Sequence, residues 1–193
     1  MSGPGRDTSP AGRGGGSRGR LVQLEFLQFP EPPAVVRPRR KVDPVEYKVV
    51  ALRDCPLPEC LHECDTPQKA ADYWRLHVAT HPNFNPEVET CVVLHLTVRR
   101  RVRGHHLVAT GTLDTLLVHS RELFRTAIVA ASHAVVVMHN HPSMDPTPSE
   151  ADIRVTRDLI RAGQILKIEV LDHVIVAGQR HVSLRECGHF YSG

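Results

Sequence analysis

Residues 134–160 read AVVVMHNHPSMDPTPSEADIRVTRDLI, and the reading of this stretch decides the fold. Its first six residues, AVVVMH, are too short for a helix and continuously apolar, as expected of a strand buried on both faces. In an extended strand residues i and i+2 project to the same side, so His139 and His141 can offer both imidazoles to one point. Pro142, Pro146 and Pro148 make the following loop a rigid return path. A helix then begins at Ser149 and carries Ile153, Thr156, Leu159 and Ile160 at helical spacing, with Gly163 near its end. Two readings compete for its first turn. Ser149-x-x-Asp152 resembles a capping box, which needs no metal to explain it. Alternatively, Asp152 adds a carboxylate to the two histidines, giving three protein ligands and an open fourth position, the pattern of catalytic zinc. The spacing H-x-H-P, six residues, S-x-x-D brings four chemically apt residues together, which favours the second reading.

Working outward, SRELFRTAIVAAS (120–132) predicts a helix with Leu123, Phe124, Ala127, Ile128 and Ala131 on one face. TCVVLHLTV (90–98) and LVATGTL (107–113) predict strands, with RRRVRGHH (99–106) as a polar turn between them. Upstream, TPQKAADYWRLHVATHP (66–82) predicts a helix with Thr66 as N-cap, Pro67 at the first helical position and Pro82 as its stop. Ala70, Ala71, Trp74 and Val78 recur along it at helical spacing. Downstream, IEVLDHVIV and HVSL predict two strands joined through AGQR (177–180). Strands alternating with helices predict an α/β domain over about residues 65–187.

The chain has 193 residues, 41% hydrophobic and 23% charged, which fits one ordinary domain with some extra length. A formal charge of +3 is not that of a dedicated nucleic-acid protein, whereas thirteen histidines are many for a residue that commonly binds metal. The first twenty residues lack the apolar core of a secretory signal, and AIVAASHAVVVM (127–138), the most apolar run, is too short to span a bilayer. A cytoplasmic protein without membrane attachment is expected. Five cysteines, an odd number, do not suggest a disulfide framework. Cys55, Cys60, His62 and Cys64 cluster, but they lack the paired C-x-x-C knuckles of structural zinc sites. Residues 1–45, rich in Gly, Pro, Ser and Arg, are expected to form a disordered basic arm, residues 46–65 a spacer, and residues 66–193 the domain. The runs Arg37–Lys41 and Arg99, Arg100, Arg101 and Arg103 admit weak nucleic-acid contact. A solvated tail and a charged hairpin tip are the plainer readings.

HNHPS…PTPSEAD, with GTLDTLLVHSRELFRTAI before it and VLDHVIV after it, has the spacing of the JAMM (MPN+) metalloprotease motif and resembles the bacterial RadC-like JAB-domain family. The similarity runs from about Thr66 to Cys187. It implies a JAB/MPN-like, cytidine-deaminase-like fold: a mixed β-sheet flanked by helices. It also implies ligation of one zinc ion per chain by His139, His141 and Asp152, with Ser149 helping to stabilise an oxyanion. A glutamate that activates the zinc-bound water is also implied, and aligning ETCVVLHL with the family's strand places it at Glu89, with Glu87 the neighbour most easily confused with it. This chain has Met144 where the family commonly has Gly after HNHPS, at a position that would favour positive φ. The residues before Thr66 are not expected to form the helix-hairpin-helix region that precedes the domain in longer RadC proteins.

The expectation is a zinc-dependent hydrolase acting on amide or isopeptide bonds of a peptide or protein substrate. The rival is a DNA-associated or catalytically silent accessory protein linked to DNA repair, in which the JAB fold is a binding scaffold. Two other metal readings fail on spacing. HNH nucleases spread those residues over a longer ββα unit, and a zinc nucleobase deaminase needs H-x-E and a later P-C-x-x-C. His173 in LDHVIV is a candidate for a residue behind the ligands or for a substrate contact, or it is a plain strand histidine, and Asp172 is a candidate for orienting a ligand histidine.

Overall fold

A computed structural model describes residues 50–111 and 118–190. The expected basic arm, the start of the spacer and the end of LVATGTL lie outside the described residues. Five strands form one mixed sheet in the order β2-β1-β3-β4-β5: β1 (Thr90–Leu96), β2 (Val102–Thr110), β3 (Ala134–Asn140), β4 (Glu169–Ala177) and β5 (Arg180–Ser183). All neighbours are antiparallel except β3 and β4. That parallel pair needs a crossover, which α3 (Glu150–Leu166) supplies. Helix α1 (Pro67–Tyr73) covers one face of the sheet; α2 (Ser120–Val129) and α3 cover the other. The chain therefore has the α/β class and the flanked mixed sheet that its sequence implied.

β1 and β3 are buried at all seven positions each, because each lies between two strands and beneath helices on both faces. Val92, Leu94, Leu96, Val136 and Met138 pack on Ala70, Ala71, Tyr73 and Trp74. Cys91, Val93, Val135 and Val137 pack on Leu123, Phe124, Ala127 and Leu159. Each large side chain so buried contributes about 1.5–3 kcal/mol.

Helix α1 starts where its sequence requires: Thr66 accepts from Lys69 N at 3.3 Å, and Pro67 follows. The helix continues through a π turn (Trp74–Val78) in which Trp74, His77 and Val78 are buried. Gly163 lets α3 approach β4, since a Cβ there would lie 2.5 Å from the Ile168 carbonyl oxygen.

Three local expectations are corrected. The β1–β2 turn is shorter than RRRVRGHH, because β2 already begins at Val102 and the turn closes through Thr97 N to Arg101 O at 2.9 Å. Arg99, Arg100 and Arg101 lie in this turn as the charged hairpin tip read from the sequence, with Arg100 3.4 Å from Glu169 and Arg101 3.7 Å from Glu63, while Arg103 lies on β2 and donates to the Ala130 carbonyl. Ile128 is 56% exposed and Ala131 lies beyond the end of α2 at φ 48°, so only Leu123, Phe124 and Ala127 serve the core. The last part of the expected spacer joins the fold: Cys64 N donates to Arg100 O and Val102 N to His62 O, each at 2.9 Å, and Cys64 is buried.

Candidate metal centre

β3 and the first turn of α3 build the site. His139 lies on the same face of β3 as Val135 and Val137, beneath α3, and is 1% exposed. The strand geometry persists one residue past β3, where His141 N donates to Val176 O at 3.0 Å. The two imidazoles therefore project to the same side, with their Nε2 atoms 3.0 Å apart. The loop then turns tightly. Met144 N donates to His141 O at 3.1 Å, and Met144 adopts φ 61°, the positive value expected of a position that favours glycine. Arg180 holds the Met144 carbonyl, and Asp145 forms a second turn by accepting from Thr147 N and Oγ1.

At Ser149 the capping box forms, and it places the Asp152 carboxylate beside the two histidines. Asp152 N donates to Ser149 Oγ at 3.1 Å, and Ser149 N donates to Asp152 Oδ2 at 2.8 Å, a reciprocal capping box. Because Ser149 Oγ accepts from a backbone N–H, its proton goes to Asp152 Oδ2, 2.6 Å away. This cap holds the Asp152 carboxylate towards the histidines: Oδ1 lies 3.2 Å from His139 Nε2 and Oδ2 3.5 Å from His141 Nε2. Among the described residues this is the one group of three or more His, Cys, Asp or Glu side chains whose ligand atoms lie within 4.8 Å of one another. Cys55, Cys60, His62 and Cys64 do not converge in that way.

The proton order around the site tests whether a cation fits. Thr156 Oγ1 donates to the Asp152 carbonyl at 2.6 Å and so accepts from His173 Nδ1, also at 2.6 Å. Burial, then the neighbouring His139, pushes His173 down to about 3, so its ring is neutral and its Nε2 carries a lone pair. That lone pair accepts from His139 Nδ1 at 2.8 Å, which leaves the lone pair of His139 on Nε2. His141 Nδ1 faces the Asp145 carbonyl at 2.8 Å and must donate to it, leaving its lone pair on Nε2 as well. With both rings neutral, two imidazole lone pairs and a carboxylate thus converge, a donor set that a cation satisfies. Positive charge is favoured at this point, whether a metal cation or a proton on His141 supplies it. Burial alone would lower the pKa of His141, but Asp152 and the Asp145 carbonyl outweigh it and raise the value. Burial alone would raise Asp152, and the two imidazoles with Ser149 bring it well below the usual carboxylate range.

These groups open onto a cleft of about 880 Å³. Glu89, the residue before β1, lines it and is half-buried, whereas Glu87 is exposed at its edge. The charge of Glu89 contributes to raising both His141 and the buried Cys91. Burial first, then Asp152 and Glu89, pushes the Cys91 thiol up to about 12, so it remains protonated in the cleft wall. Asp172 does not support a ligand histidine. It accepts from Ser183 Oγ, Arg185 N and His173 N, stapling β4 to the turn after β5. His173 supports His139 instead. Sequence reasoning missed Thr156, whose signal was its i+4 spacing from Asp152 on α3, and Asn140, considered below.

Residues 64–189 match the family model described as RadC-like JAB domain. The fold and the site thus define a JAB-domain protein, and the chain belongs to the RadC-like JAB family. Among curated relatives it is 42% identical over 127 residues to a UPF0758 protein of Staphylococcus carnosus, covering 65% of this chain and 53% of that protein. It is 46% identical over 101 residues to one of Bacillus cereus (52% and 45% covered) and 51% identical over 96 residues to one of Desulfitobacterium hafniense (50% and 42% covered). The matched segment spans about half the length of these relatives. No described helix is long and apolar enough to cross a membrane.

Proposed function

We propose that the chain is a zinc-dependent hydrolase of amide or isopeptide bonds in a peptide or protein substrate. The observation that carries this reading is the convergence of His139 Nε2, His141 Nε2 and the Asp152 carboxylate in an open cleft that Glu89 and Ser149 also line. Two nitrogen donors and one carboxylate oxygen suit zinc, which in such a site supplies Lewis acidity to a water and a scissile carbonyl. Glu89 accepts the proton of the attacking water and returns it to the leaving amine. Ser149 serves the developing oxyanion by turning its hydroxyl away from Asp152 Oδ2, where it is now bonded. Val118, Val137 and Cys91 wall the cleft and limit water at the reacting carbonyl.

The test pairs metal analysis with a broad peptide library. The wild type is expected to carry about one zinc per chain and to cleave part of the library. Glu89→Gln keeps the zinc and loses roughly 10²–10⁴-fold in kcat. Zinc-loaded wild type that cleaves nothing, or Glu89→Gln with full turnover, overturns the reading.

A further inference from the structure

Asn140 sits between the two histidines, and its side chain turns to the entrance of β1. The last regular pair between β1 and β3 is Cys91 with His139, so Thr90 and Asn140 would form the next rung. There the side-chain amide of Asn140 takes the place of its backbone: Oδ1 accepts from Thr90 N at 2.9 Å and Nδ2 donates to Val88 O at 3.1 Å. The two bonds fix the orientation of the amide, since an N–H lies at one end and a carbonyl at the other. They fall on either side of Glu89. The backbone of Glu89 is held from the opposite strand as well, by Gly111 N donating to its carbonyl at 2.9 Å. Asn140 and Thr90 are each 6% exposed, so water does not compete well for these bonds. The residue that brackets Glu89 therefore belongs to the strand that presents His139 and His141.

We infer that Asn140 is a positioning residue that fixes the Glu89 carboxylate relative to the metal donors, by bracketing the Val88–Thr90 backbone. The inference rests on the proposed role of Glu89. The strand that presents the two histidines then also sets the base, so the distance from Glu89 to those donors is fixed across one pair of strands. Holding a general base within hydrogen-bond reach of its proton needs this kind of restraint, since small misplacements cost large rate factors.

The test needs no substrate. In the ¹³C-labelled full chain, the Glu89 carboxyl resonance is followed as one equivalent of Zn²⁺ is added, in wild type, Asn140→Ala and Asn140→Asp. Asn140→Asp is nearly isosteric and keeps the acceptor for Thr90 N while losing the donor to Val88 O, so it serves if Asn140→Ala does not fold. The wild-type resonance is expected to move on zinc addition. Asn140→Ala is expected to bind one zinc but to show less than half that movement, with Asn140→Asp in between, and amide exchange at Thr90 at least tenfold faster in Asn140→Ala. Equal movement in wild type and the folded variants overturns the positioning role and leaves the hydrolase reading standing. A wild-type resonance that ignores bound zinc overturns Glu89 as the base, and the inference with it.

Discussion

The carboxylate of Asp152 has two oxygens, and it both caps a helix and faces the two histidines of the candidate metal centre. Oδ2 takes both bonds from Ser149, at 2.8 and 2.6 Å, while Oδ1 is left to His139 at 3.2 Å. Asp152→Asn keeps a cap of nearly the same shape but replaces one oxygen by a donor facing imidazole lone pairs. It is expected to leave folding intact and to retain no zinc after dialysis; a full complement of metal in this variant would remove Asp152 from the ligand set. His173 makes a different demand, because it fixes which nitrogen of His139 carries the proton. His173→Leu leaves His139 Nδ1 without its acceptor and frees the ring to take the wrong tautomer. Zinc affinity should fall about 10–100-fold, read by competition with a chelator of known affinity. His139, His141 and Asp152 were legible because i, i+2 on a strand and the first turn of a helix are local geometry. The support from His173 was not, because it crosses from one strand to another.

At the scale of elements, that crossing depends on a bulge. Val135 pairs with Val170, but Val136 pairs with Asp172, so Leu171 is an extra residue in β4. The extra residue shifts the parity of everything after it. His173 consequently pairs with Val137 and shares the face of His139, while Asp172 is sent to the other face. Nothing in IEVLDHVIV announces a bulge, since alternation within one strand does not reveal the register of its neighbour. By contrast AVVVMH, Thr66-Pro67 and Ser149-x-x-Asp152 could be read directly, because burial on both faces and helix caps leave their marks in adjacent residues. Helix α3 must also be held close to β4 for the relay from Asp152 through Thr156 to His173 to form. Gly163 permits that approach, and Gly163→Ala would push a methyl group to 2.5 Å from the Ile168 carbonyl oxygen. The helix gains from alanine by up to about 1 kcal/mol, but the clash with backbone outweighs it. A net loss of roughly 1–3 kcal/mol is expected in urea unfolding, and an unchanged or raised midpoint would show that α3 can shift without cost.

Across the whole molecule the histidines set the response to acid. Five of them, His77, His95, His105, His106 and His173, have lowered pKa values, each with burial as the largest cause, and His141 alone is raised. His95 is the clearest of the five: it is 5% exposed, lies 3.1 Å from Ser132 Oγ and is pushed down to about 4 by burial and then by His106 and His105. Below its ordinary value of 6.5 the unfolded chain takes up a proton on His95, and the folded chain does not until near pH 4. More protons on the unfolded state mean that stability rises with pH across this window, so acid removes it. At about 1.4 kcal/mol per pH unit, His95 alone withdraws about 2 kcal/mol between pH 6.5 and 5. His141 opposes this, since its raised value favours the folded state in acid, but it is one group against five. In the zinc-free protein the urea midpoint should therefore fall steadily from pH 6.5 to 5. His95→Gln keeps a hydrogen-bonding side chain near Ser132 without a proton to gain, and should flatten that fall; a slope unchanged by the substitution would show that His95 is protonated in the folded chain as readily as in the unfolded one.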